Sequence, residues 1–396
     1  VKLAVVTPRF GAEVAGGAET AARLLASHLA RESGWAVEAL TTTALDAATW
    51  APHFPPGDDH IDGMAVRRFP VVGRRAAGFD DATARLLTRG NHASASEQAR
   101  WIEQQGPVAP ELIEAVRESD ADVVAFHPAL YHPTVVGLPM VAERAVLHPA
   151  THDEAVIRLP LYRSVFGAAA GMGYWSDTER RLTERLFGVA ATPSVVVGLG
   201  VEPEPGDTEA ARAAVGLDDR PFLLCLGRVD DGKGVRVLAE SFAFYKERRP
   251  GPLALVFAGP VVHAPAEHPD VVVTGVVDEA VKWGLLRGAL ALVSPSAFES
   301  FSIVLMEAWA VGTPALVNER CTVTREHALR SGGGLTFADY ATFEVALDRV
   351  TDDSGLGPAL GAAGRRHVQQ HFRWPDVIDR YGSFLLGAAR RVRRQG

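Results

Sequence analysis

Two glutamates, Glu299 and Glu307, stand with seven residues between them in "SAFESFSIVLMEAWAVGTP" (296–314), a stretch otherwise rich in apolar residues. An ionised carboxylate only accepts hydrogen bonds and can take both hydroxyls of a vicinal diol. Two of them at the mouth of an apolar element therefore suit a polyhydroxylated ligand. The quieter reading gives Glu299 to a helix dipole and Glu307 to a neighbouring base. Upstream, "LGRVDDGKGV" puts Arg228 and Lys233 on a turn between a strand and a helix. A guanidinium fork and an ammonium at that spacing can converge on one anion, such as a diphosphate. As separate surface charges they would need no ligand. Near the start, "TPRFGAEVAGGAET" opens a helix with Gly16 and Gly17, where backbone N–H groups can meet an anion. A tight turn with Glu19 complementing the dipole reads equally well there. These glycines do not have the dinucleotide spacing, and Lys233 does not sit in a phosphate-loop pattern.

All three groups fall at strand-to-helix junctions of two halves that share one grammar. In the first half "KLAVVTP", "WAVEALTT", "DVVAFH" and "RAVLHPA" read as buried strands, and Ala22, Leu25 and Leu29 mark a helix that Gly34 ends. The pattern restarts at residue 221 with "PFLLCLG", then the helical "GVRVLAESFAFYKERRPG". The strands "PLALVFAG", "VVVTG", "ALALVSPS" and "TPALVN" follow. Near-continuous apolar strands alternating with helices predict parallel sheets covered on both faces. Residues 71–118 are helical and polar in pattern, but too weakly periodic to divide.

The class is α/β: two doubly wound, Rossmann-like parallel-sheet domains facing across a cleft. The boundaries predicted are an amino-terminal domain over 1–200, a Pro/Gly/acidic linker over 201–206, and a carboxy-terminal domain over 207–373. A terminal helix covers 374–396. Ligands of such sheets bind at the carboxyl ends of the strands, which puts the expected site in the cleft.

Composition bounds the chemistry further. A chain of 396 residues exceeds one ordinary core, and a net charge of -8 argues against nucleic acid as a partner. Two cysteines, Cys225 and Cys321, in apolar or turn-like surroundings fit a reducing cytoplasm better than a disulfide framework. The opening "VKLAVVTPRF" is too short an apolar run for a secretory or membrane segment, and no run reaches eighteen. The arginine-rich end "FLLGAARRVRRQG" reads either as a solvated terminus or as a weak peripheral contact with anionic lipid at the inner membrane face.

The order and spacing of "GRVDDGKG", Glu299, Glu307 and "EAWAVGTP" closely resemble the retaining glycosyltransferases of family 4, which have the GT-B fold. The ending "GAAGRRHVQQHFRWPDVIDRY" and the Gly16-Gly17 loop look like that family too, so the likeness spans nearly the whole chain and is strongest over 221–382. The resemblance implies roles. Arg228 and Lys233 would hold the donor diphosphate and Gly17, beside Gly16, would contact phosphate. Glu307 would take the ribose hydroxyls. Glu299 would take those of the transferred sugar, helped by the backbone at Phe301, Ser302 and Ile303. "TGVVDEAVKWGLL" would lie by the nucleobase through Val276. "PATHDEAVIRLP" resembles the amino-domain active-site segment, with His152 near sugar and acceptor and Asp153 beside it. The terminal helix would cross back onto the amino domain. One departure touches the site: the family commonly has Gly-Phe-Gly after the first glutamate, and this chain has Ser300-Phe301-Ser302.

Asp120-Ala121-Asp122 has the form of a metal-binding Asp-x-Asp, but it precedes a strand where that motif follows one. The bases and helix termini are expected to neutralise the diphosphate without metal or other cofactor. The function predicted is a retaining, metal-independent transfer of a hexose-type sugar from a nucleotide diphosphate donor, UDP- or GDP-linked, to an acceptor hydroxyl. That hydroxyl would belong to a glycan, a lipid-linked or a small-molecule glycoside. A nucleotide-sugar epimerase or hydrolase of the same fold, and a non-catalytic sugar-nucleotide-binding protein, are the rivals.

Overall fold

The apolar, β-branched runs become strands, and the amphipathic stretches between them become helices. The computed structural model describes residues 1–14 and 16–395, with residues 392–395 described by backbone alone. The chain divides into two units, Val1–Leu199 with the terminal segment from Pro375, and Gly200–Trp374.

The first unit holds β1 (Lys2–Val6), β2 (Ala36–Thr42), β3 (Gly57–Ile61), β4 (Met64–Phe69), β5 (Val123–Phe126), β6 (Ala145–Leu147), β7 (Gly171–Tyr174) and β8 (Ser194–Val196). Among the described residues they form one sheet in the order β3-β4-β2-β1-β5-β6-β7-β8. Neighbours run parallel except β3 and β4, a correction to the all-parallel expectation. The edge strand "GDDHI" is exposed and charged, which blunts the edge against further pairing. It turns into β4 through Asp62 and Gly63, both left-handed at φ 51° and 80°. Asp-Gly is a strong hairpin signal in sequence, and it is the one that could have found this pair.

In the second unit β9 (Phe222–Leu226), β10 (Ala254–Ala258), β11 (Val271–Gly275), β12 (Ala291–Ser294), β13 (Ala315–Asn318) and β14 (Gly334–Phe337) pair in parallel, ordered β11-β10-β9-β12-β13-β14. Strands β10 and β12 are buried along their whole length, as strands covered on both faces must be. The strand order reverses between β9 and β12, and in the first sheet between β1 and β5. Connections leave to opposite faces at these points, which opens a crevice at the strands' carboxyl ends.

Residues 71–118 resolve into helices Phe79–Arg89, Ala95–Gln105 and Pro110–Glu118. Ser94 and Glu97 form a capping box for the second, and Pro110 starts the third, where its missing N–H has no helical role. The terminal helix Trp374–Gln395 turns an apolar stripe into the first unit. Val377, Tyr381 and Leu385 are buried, and Phe384 packs half-buried over Gly171. Among the described residues, no helix is long and apolar enough to cross a membrane.

Candidate functional site

In the second unit, the connections after β9 and β12 are locked together. Asp230 caps the turn after β9 by accepting from the Lys233 N–H at 2.8 Å, and its carboxylate also pairs with Arg228. Gly234 sits at φ 77°, and a Cβ there would lie 2.8 Å from the Pro295 carbonyl oxygen. Only glycine satisfies both conditions, so the "DGKG" turn can nest against the residues after β12. Asn318 anchors the same carbonyl through Nδ2 at 2.8 Å. This nesting brings Lys233 Nζ to 2.6 Å from Glu299 Oε1. Beneath them, burial pushes the Cys225 thiol up to about 12, with Lys233 pulling the other way and Glu299 adding to the rise. Such a thiol stays protonated and unreactive.

Each of the two bases pairs with its own carboxylate. Arg228 is drawn to Asp230 two residues on, with its side chain largely exposed, while Lys233 meets Glu299. Local capping by Asp230 decides this, since a turn aspartate reaches a nearby guanidinium more readily than a side chain from another junction.

Glu307 lies in the second turn of helix Ile303–Val311. Buried glycines Gly361 and Gly364 of helix Leu356–His371 let the two helices approach closely, and Trp309 Nε1 donates to the Gly333 carbonyl at 2.9 Å. The carboxylate meets Lys282 Nζ at 3.0 Å, and the two side chains are 13% and 17% exposed. Burial raises the Glu307 carboxyl above its ordinary range, and Lys282 pulls it back. Burial likewise opposes the Lys282 charge, yet Glu307 and Glu279 outweigh it and raise that ammonium. Val276 is exposed just after β11.

Phe301 is buried edge-on to His327 and Phe372. Ser302 caps the helix at φ 68° and ψ 78°, a left-handed conformation that favours glycine. Its hydroxyl is buried without a hydrogen-bond partner. Ile303 is the first helical residue, so its N–H belongs to the unpaired first turn.

In the first unit, Gly17 begins helix Gly17–Ser33 and Gly16 precedes it. A Cβ on Gly16 would collide with Glu19 and Arg9. Glu19 does more than complement the dipole. It is buried and holds the Arg9 guanidinium, which donates from Nε at 3.0 Å. Arg9 also donates to the Leu45 carbonyl at 3.2 Å. His152 lies on the connection after β6, with Nδ1 3.5 Å from Glu154, and Asp153 pairs with Arg158. The 151 backbone rests on Glu179, a buried carboxylate that accepts from Thr151 N–H at 2.8 Å and Trp175 N–H at 2.6 Å. Burial pushes this carboxyl up to about 8, against backbone N–H groups that favour the anion. Asp120 and Asp122 both face Lys2 at the sheet's entry edge, Asp120 through the ammonium and Asp122 through the N–H at 2.9 Å.

Residues 220–353, which carry the Lys233–Glu299 and Lys282–Glu307 pairs, match the family described as "Glycosyl transferases group 1". Glycogen synthase of Mycobacterium tuberculosis (strain CDC 1551 / Oshkosh) is 27% identical over 293 residues, which cover 69% of each chain. Sucrose-phosphate synthase from Thermosynechococcus elongatus superposes with a TM-score of 0.73 at 19% identity, over 96% of this chain and 97% of that one. The chain is a GT-B-type glycosyltransferase. Its fold is also similar to that of Anabaena HepE in complex with UDP-glucose, with a TM-score of 0.67 at 13% identity over 98% and 99% of the two chains.

Two residues of this glycosyltransferase escaped the sequence reading. Lys282 lies within "DEAVKWGLL", and its local sign is a lysine on the buried side of a helix with Glu279 three residues before it. Glu179 stands three residues after Ser176, the spacing of a helix cap, and nothing in that spacing announces its burial.

Proposed function

We propose that this glycosyltransferase is a retaining, metal-independent enzyme that moves a hexose-type sugar from a UDP- or GDP-linked donor to an acceptor hydroxyl. The observation that carries the reading is the 2.6 Å approach of Lys233 to Glu299. In a nucleotide sugar the anomeric carbon is bonded directly to the terminal phosphate. A group that holds the phosphate and a group that holds sugar hydroxyls must therefore be neighbours, and an ammonium touching a carboxylate supplies both functions at one place. The UDP-glucose bound by the Anabaena neighbour supports a nucleotide diphosphate donor.

Lys233, Arg228 and the N–H groups at Phe301, Ser302 and Ile303 would stabilise the charge that develops on the departing diphosphate. Removing one such donor typically costs on the order of 10²–10³ in turnover. The released phosphate oxygen would accept the acceptor's proton on the same face, giving retention. His152 and Asp153 are assigned to the sugar and acceptor side, and Gly16 and Gly17 to phosphate, on the family likeness.

The test separates the two glutamates by calorimetry with UDP and UDP-glucose. Losing a charged hydrogen bond costs about 1.5–3 kcal/mol, roughly ten- to a hundredfold in affinity. Glu307→Gln should weaken both ligands, because both contain ribose. Glu299→Gln should leave UDP binding nearly intact and impair transfer. Equal loss of UDP affinity in both variants would refute the division of roles.

A further inference from the structure

The segment that carries His152 is held in a conformation that its residues resist. After β6 the chain passes through His148 and Pro149 to Ala150, whose φ of 52° lies in the left-handed region. A Cβ there crowds the following carbonyl, so a lone alanine in this region marks backbone held by its surroundings. Contacts made by His148, Pro149 and Thr151 hold it. The His148 ring stacks on His127 with centroids 4.2 Å apart, fills the space over Gly173, and bonds the Tyr381 hydroxyl through Nε2 at 3.0 Å. The Pro149 carbonyl accepts from Ala129 N–H at 3.1 Å. Thr151 N–H donates to Glu179 Oε1 at 2.8 Å.

Of these, the Glu179 bond lies closest to His152. The second oxygen of Glu179 is occupied by Trp175 N–H at 2.6 Å, so the carboxylate spans the ends of β6 and β7. Its residue is 1% exposed. Capping of helix Asp177–Phe187 does not explain that depth, because Ser176 already accepts from the Glu179 N–H at 3.1 Å. Burying a carboxylate is costly, and a cap works as well at the surface. The Glu154 carboxylate beside His152 lies on the same loop.

We propose that Glu179 is a positioning residue, whose buried carboxylate locks the strained turn at Ala150 and thereby sets the direction of the His152 imidazole. The proposal rests on the reading of His152 as an active-site residue. Glu179→Gln sets an amide NH₂ against one of the two backbone N–H groups. Glu179→Asp keeps the carboxyl group but is one methylene too short to reach both.

The experiment is histidine side-chain NMR on the full chain, with the His152 signal assigned by its loss in His152→Gln, together with exchange of the Thr151 amide. Both Glu179 variants should shift and broaden the His152 signal and speed Thr151 exchange about tenfold or more, while the His127 and His148 signals keep their positions. An unmoved His152 signal in folded Glu179→Asp overturns the proposal. So does collapse of all three histidine signals in both variants, which would make Glu179 a support of the whole unit. Should Glu179→Gln fail to fold, Glu179→Asp alone decides. Neither readout uses turnover, so sugar transfer that survives in His152→Gln would remove the functional reading of His152 separately.

Discussion

Lys282→Met removes the base beside Glu307, whose ammonium also lies 5.0 Å from the Trp283 ring centroid, and keeps an unbranched side chain of similar length. Breaking a fully buried ion pair by removing one partner costs about 3–5 kcal/mol, whereas an exposed pair contributes about 0–1. The Lys282 and Glu307 side chains are 17% and 13% exposed, close to the buried limit but open to some water. A loss of about 2–3 kcal/mol near neutral pH is therefore expected. In a unit of this size it should lower the melting temperature by roughly 5–10 °C. The neighbouring Glu279 carboxylate is 60% exposed and adds little to the figure.

The sign with pH follows from the direction of the Glu307 shift. Its folded-state carboxyl is raised by burial, and Lys282 is the first influence opposing that rise. Without Lys282 it rises further. A raised carboxyl favours the folded state most when protonated, below the unfolded value of about 4.3, and that advantage is lost as pH climbs through the folded value. The variant should accordingly lose less stability at about pH 5 than at about pH 8. Thermal melts at both pH values, on Lys282→Met, Glu307→Gln and Lys282→Met/Glu307→Gln, test this. The double variant should recover much of the loss, because it no longer buries an unpaired carboxylate. Equal losses at the two pH values, with the double variant as unstable as the sum of the singles, would refute the reasoning.

Saturating EDTA should leave the transfer rate nearly unchanged; a rate abolished by EDTA and restored by Mg²⁺ or Mn²⁺ would overturn metal independence. Ser302→Gly should raise stability by up to about 1 kcal/mol by releasing left-handed strain, partly offset by glycine's greater freedom when unfolded. The same change should weaken UDP-glucose binding if the buried, unpartnered Ser302 hydroxyl serves the donor; unchanged calorimetric affinity would make that hydroxyl a bystander. Tyr381→Phe removes the hydroxyl bonded to His148 and should cost about 1–3 kcal/mol in urea unfolding, with an unchanged denaturant slope. No measurable loss would mean the terminal helix is held by its apolar stripe alone.

The sequence by itself determined the elements and the chemistry available to them. Runs such as "PFLLCLG" and "PLALVFAG" can only be satisfied as covered strands. The helix carrying Glu307 was legible to within a residue, because apolar periodicity and the flanking glycine and proline are local signals. Region 71–118 and the β3–β4 edge were less legible, since exposed polar residues leave little periodicity to read. Which charges meet was decided by tertiary structure alone. Lys233 and Glu299 are 66 residues apart and touch because the sheet sets β12 beside β9, skipping β10 and β11. Lys282 and Glu307 meet because one buried helix face lies against another, and Glu179 holds Thr151 because β6 and β7 end side by side. A hydrophobic pattern reports which face of an element is buried and not which element covers it. The partners of these carboxylates therefore exist only once the strand order has been chosen.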